Sequence, residues 1–116
     1  MRNHTMASSI ERVYLGLLQA AIRQNHHCEA IHQETVPVTE FVDGKVIWQG
    51  NVEVFELIGH EQARRCYSWM VPDKTKTIRY VSVLESLLIN SPTAAVRSAI
   101  FTNKEFPQPP SDRFAA

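Results

Sequence analysis

The dipeptide Asp43-Gly44, set between two runs of strand-forming residues, constrains this chain more than any other feature. A two-residue hairpin turn needs positive φ at both central positions, and an Asp-Gly pair meets that need at little steric cost. Val36, Val38, Phe41, Val46, Ile47, Val52, Val54 and Phe55 flank it, all of types enriched in strands. A β-hairpin centred on 43–44 follows. Pro37 has no amide to donate, which puts the first strand at a sheet edge. Gly50 predicts a bulge or bend in the second strand.

Gly59-His60 breaks this pattern, and a second hairpin is expected beyond it. Its strands are about 64–71 and 78–87, joined by a turn at Pro72-Asp73-Lys74-Thr75-Lys76. If Val71 faces Ile78, then Trp69 faces Tyr80 as a cross-strand aromatic pair. Two helices bracket the strands. Ile10, Val13, Tyr14, Leu17, Leu18 and Ala21 form an apolar stripe at helical spacing. Ser8 and Glu11 have the spacing of a capping box at its start, and polar residues gather at its end near Asn25. Near the C-terminus, Ser91 suits an N-cap and Pro92 the first helical position, with Ala95, Val96, Ala99 and Ile100 as the apolar face.

The expected fold is therefore α+β, in the order α-β-β-β-β-α: an N-terminal helix packed on a four-stranded, mainly antiparallel sheet, then a second short helix. A chain of 116 residues fits one domain. Residues 1–7 read as a flexible leader, 8–103 as the domain and 104–116 as a Pro-rich, disordered tail. The 44% apolar and 21% charged content is ordinary for a globular chain. Two cysteines, Cys28 and Cys66, match no disulfide framework or zinc ribbon, and no apolar leader or membrane span is visible. A reduced, cytoplasmic protein is expected. In order of elements, the meander is similar to cystatin-like and double-stranded-RNA-binding domains, but topology alone licenses no function.

Trp48, Gly50, Val52-Glu53-Val54-Phe55, Leu57 and Gly59-His60, followed by Tyr67 and Trp69, form a W-x-G-x-V-E-V-F-x-L-x-G-H … Y-x-W pattern. Ser91-Pro92 and Ala94-Ala95-Val96-Arg97 extend it. This half of the chain resembles a pattern in short uncharacterised bacterial proteins. The resemblance implies no activity and no site residue.

Several constellations bear on chemistry. His26, Cys28 and His32 would share one face of an extended strand, with Cys66 approaching from another. Ligands strung along one strand diverge, so no metal site is expected. Glu34 and Glu53 would face each other across the first hairpin with His32 nearby, an arrangement suited to acid–base work. His60-Glu61 lacks the second histidine of a zinc-protease helix, and a turn role is expected for it. Arg64, Arg65, Lys74, Lys76 and Arg79 concentrate positive charge on the second hairpin, among aromatics that suit single-stranded nucleic acid. Zero net charge argues against nucleic acid as the main partner. Lys104, Pro107 and Pro110 have the spacing of a polyproline-helix ligand. No phosphate-binding or nucleotide-binding loop is present, and no cofactor is implied.

The second hairpin is apolar on both faces. One face should pack on the first helix. The other needs a cover from the second helix, a ligand or a second subunit, and such faces usually mark contacts. The leading expectation is thus a small non-enzymatic binding or interaction module, a homodimer built through its sheet. A small apolar or anionic ligand would lie between apolar walls from Trp48, Tyr67, Trp69 and Tyr80, oriented by Arg65. The alternatives are a small α+β enzyme using His32, Glu34 or His60, and a nucleic-acid binder using the basic hairpin.

Overall fold

The computed structural model describes the backbone of residues 2–72 and 77–102, and the side chains of 12–71 and 77–101. Its elements are α1 (Arg2–His26), β1 (Glu29–Val42), β2 (Lys45–Ile58), β3 (Arg65–Pro72), β4 (Ile78–Leu84) and α2 (Pro92–Thr102). The four strands form one antiparallel sheet in the order β1-β2-β3-β4. The fold is α+β with the α-β-β-β-β-α order.

The first hairpin turns where the sequence requires. Asp43 and Gly44 have φ of 53° and 79°, and Val42 pairs with Lys45 around them. Two positive φ values give the turn a twist that matches its strands. β1 is an edge strand and carries Pro37, which needs no ladder partner there. The irregularities of this hairpin lie between His32 and Glu34 and between Glu40 and Phe41, not at Gly50. Gly50 stays in register opposite Val38. Its missing side chain serves another purpose: a β-carbon there would sit 3.1 Å from the Trp48 ring, which lies back over the strand.

α1 begins at Arg2, so Ser8 lies inside the helix and does not cap it. The helix ends at His26, and His27 follows with φ of 56°, its amide donating to the Arg23 carbonyl at 2.8 Å. Histidine is among the few non-glycine types that enter this left-handed region. At α2 the Ser91 hydroxyl accepts from the Ala94 amide at 3.1 Å, and Pro92 opens the helix.

The two helices lie on opposite faces of the sheet. Leu18 and Ile22 of α1 pack with Cys28, Ala30, Phe55, Leu57, Ala63 and Cys66. Ala95, Val96 and Ala99 of α2 pack with Val38, Val52, Val54, Tyr67, Trp69 and Val71. The second apolar face is therefore covered by the chain's own α2. An ion pair fastens that layer: Arg97 Nε reaches the buried carboxylate of Glu40 on β1 at 2.8 Å.

The register of the second hairpin differs from the expected one by a single residue. Val71 pairs with Arg79, Trp69 with Val81, and Met70 with Tyr80. Side chains alternate with period two, so this shift carries Tyr80 away from Trp69 to the α1 face. It brings the β-branched Val81 and Val83 against the α2-side core in exchange. The turn at 73–76 and the tail at 104–116 lie outside the described residues.

Phe55 is fully buried between β2 and α1, whereas Phe101 at the end of α2 is 71% exposed. Phe55→Ala should cost about 3–5 kcal/mol, the usual price of a phenyl-sized cavity. Phe101→Ala should stay within about 0.5 kcal/mol of the parent, as surface changes do. Urea unfolding of both variants tests the assignment of the core.

Candidate ligand cleft

The ladder between the two hairpins is short. Glu53–Glu56 of β2 pair with Arg65–Ser68 of β3, and there the pairing stops. Continued register would match Val52 with Trp69, Asn51 with Met70 and Gly50 with Val71, and none of these pairs forms. The strands part instead, leaving a cleft of about 480 Å³ lined by the same residues, Gly50, Asn51, Trp69, Met70 and Val71. Tyr14 of α1 closes it on one face of the sheet. Trp48 and Trp69 close it on the other, edge to face, with ring centroids 5.5 Å apart and planes at 66°.

Glu53 stands where the ladder ends. It lines the cleft and is only 4% exposed. Its Oε1 takes two hydrogen bonds, one from the Thr35 hydroxyl and one at 2.8 Å from His32 Nε2. An ionised carboxylate only accepts, so a carboxylate here requires His32 to present Nε2–H. Oε2 has no hydrogen-bond partner among the described residues. Burial, and then the Glu53 charge, raise the Tyr14 pKa above the ordinary phenol value, against the opposing influence of the Met70 backbone amide. Tyr14 therefore stays a neutral phenol at physiological pH. Trp69 Nε1 is buried with no acceptor among the described residues.

Of the five expected ligand residues, Trp48 and Trp69 come together at the cleft. Tyr67 is on the Trp69 face but sealed beneath α2. Tyr80 is on the other face and 40% exposed. Arg65 lies at the far end of β3, 3.8 Å from Glu85, in a separate polar depression with Gln33, Glu56 and Arg64. Tyr67 meets Arg65 and Glu85 there. Burial and the Glu85 charge raise its pKa, while Arg65 lowers it. Sequence reasoning missed Tyr14, which occupies an apolar-stripe position and so reads as core, and missed the cleft floor formed by Asn51 and Met70.

The other candidate groups separate. His26 ends a helix, so it does not share a strand face with Cys28 and His32. Among the described residues no group of three or more His, Cys, Asp or Glu gathers in a way that could hold a metal ion. The bulge at Gln33 turns Glu34 away from Glu53 to oppose Val54, and brings Thr35 opposite Glu53. His60 Nδ1 accepts the amides of Gln62 and Ala63 at 3.1 and 2.9 Å, the expected turn role. Its ring meets His26 edge-on, and burial, then the neighbouring histidines, lower the His26 pKa. Arg79 is half-buried on the α2 face, and Lys74 and Lys76 lie outside the described residues.

No family model, curated protein or solved structure matches the chain. Among the described residues no helix is long and apolar enough to cross a membrane.

Two measurements check this geometry. Gly50→Ala should push the Trp48 ring outward by a few tenths of an ångström, changing tryptophan emission while leaving far-ultraviolet circular dichroism intact. The second concerns Cys66, which is fully buried. Burial pushes its thiol up to about 12, a shift that the nearby Ser82 hydroxyl opposes and Cys28 augments. The folded state thus holds this proton more tightly than the unfolded chain. Its contribution to stability is complete below about pH 9 and is lost as pH rises from there through 12, at up to about 1.4 kcal/mol per pH unit. Cys66→Ala should flatten the decline in urea stability between pH 8 and pH 10.5.

Proposed function

We propose that this protein is a small non-enzymatic binding module whose ligand lies in the gap between its two hairpins. One observation carries the reading. The sheet stops pairing at Glu53–Ser68 although β2 and β3 both continue, and the parted strands enclose a cleft with two indoles, a phenol and a buried carboxylate. Continuous pairing would satisfy more backbone groups, and a gap of this kind forgoes them. Its volume of about 480 Å³ is that of a small-molecule site.

The test is a fragment screen followed by amide chemical shifts of the full chain. Binders should move resonances of Gly50–Val52 and Trp69–Val71, and Trp48→Ala should weaken them at least about tenfold, the loss of one well-placed aromatic contact. Fragments that shift only residues elsewhere would overturn the reading.

A homodimer is the second part of the proposal. Its support is no longer the sheet face, which α2 covers, but the β4 edge and the connection after it. Among the described residues β4 has no strand partner on its outer side. Ile78 and Tyr80 are exposed along it, and Leu87 and Leu88 are 96% and 89% exposed just beyond. An open edge with apolar neighbours suits two-fold pairing with a second copy. Light scattering at low and high salt should give twice the chain mass, and Leu87→Asp with Leu88→Asp should return it to one.

Acid–base catalysis is a further reading, favoured by the 2.8 Å contact of His32 with Glu53. It differs from the first in requiring turnover of a bound fragment, and His32→Gln would abolish that turnover while leaving binding.

A further inference from the structure

We infer that the ligand of this cleft carries a cationic nitrogen, an alkylammonium or guanidinium, that docks on Glu53 Oε2 while its apolar body lies against Trp48 and Trp69. This rests on the reading of the gap as the ligand site and gives that ligand its charge. It also reverses the sign expected from sequence, where Arg65 was to meet an anion.

The inference starts from an unbalanced carboxylate. Glu53 is 4% exposed and lines the cleft, yet both of its hydrogen bonds fall on Oε1. A buried carboxylate is costly unless it is paired and its lone pairs are used. No lysine or arginine is among the cleft-lining residues. Arg65 lies against Glu85, and Arg97 is engaged with Glu40 on the α2 face. Within the cleft lining the charged side chain is Glu53, and His32 meets it from β1. In such a setting an N–H⁺ donor gains a charge-assisted bond in a medium of low dielectric.

The walls point the same way. The indoles of Trp48 and Trp69 wall the cleft on the face opposite Glu53, so they receive the ligand's apolar body rather than its charge. Trp48 is half-buried and lines the cleft beside Trp69. Gly50 leaves room for the Trp48 ring over β2, the strand that also carries Glu53, whose side chain lies on the opposite, α1, side of the gap. Tyr14 remains protonated beside Glu53, so its oxygen is a second, neutral acceptor for an ammonium. A carboxylate with aromatic walls recognises an amine, and it repels an anion of the same shape.

The experiment titrates the full chain with three probes of one shape: phenethylammonium, phenethyl alcohol and 3-phenylpropanoate, followed by amide chemical shifts. Phenethylammonium should bind at least about tenfold more tightly than the alcohol, with shifts at Gly50–Glu53 and Met70, and the propanoate should be weakest. Glu53→Gln keeps the size of the side chain and the acceptor for Thr35 and His32. It should bring the ammonium down to the affinity of the alcohol and leave the alcohol unchanged. Equal binding of ammonium and alcohol, unaltered by Glu53→Gln, would overturn the cationic assignment while keeping the cleft as a site. Preference for the propanoate would overturn it as well. Absence of shifts at the cleft with every probe at millimolar concentration would sink both the assignment and the site. Should Glu53→Gln fail to fold by circular dichroism, the ranking of the three probes on the unaltered protein decides the matter.

Discussion

The ladder joining Glu53–Glu56 to Arg65–Ser68 is the interaction on which the rest of the structure depends. Each hairpin is marginal alone, because a two-stranded ribbon has too little buried surface to stand in water. Joined at their bases, they become one sheet with an apolar patch on each face at the same place. Phe55 and Cys66 face α1 there, while Val54 and Tyr67 face α2. Both helices clamp that region, so the strands are held firmly at the base and are free to part beyond it.

The parting is what gives the molecule a concave surface. A fully zipped sheet of this size, covered on both faces, would have no cleft. Trp48, lying over Gly50, and Trp69 meet on the α2 face where the strands separate, and Tyr14 comes from α1 on the other. Glu53 sits at the apex. It is the last residue of β2 with a partner on β3, and its side chain looks toward α1, held by Thr35 and His32 of β1. Four elements thus place one carboxylate, and its fixed position follows from backbone pairing on both sides.

Much of the architecture was legible. The Asp43-Gly44 turn, the edge position of β1, the Ser91-Pro92 helix start and the order of elements follow from local rules, since φ preferences, missing donors and caps act within a few residues. The errors arose where a count of one residue matters. The bulge at Gln33 separates Glu34 from Glu53, and the one-residue shift of the second hairpin moves Tyr80 to the other face. A period-two alternation turns any such slip into an exchange of faces. Glu53 was legible as a candidate through its expected place across the first hairpin near His32, although Thr35 rather than Glu34 stands opposite it. Tyr14 was not, because a helical stripe gives the same signal for a core residue and for a cleft wall.

The sequence by itself determined the elements, their order and the apolar surplus on both faces of the second hairpin, because these depend on side-chain type and local spacing. Only the tertiary structure decided that α2 covers the second face, that the hairpins part after Glu53, and that Arg65 lies far from the tryptophans. Those facts depend on how far a ladder continues and on which face each strand presents. Both are set by packing among residues distant in the chain, where no local preference reaches.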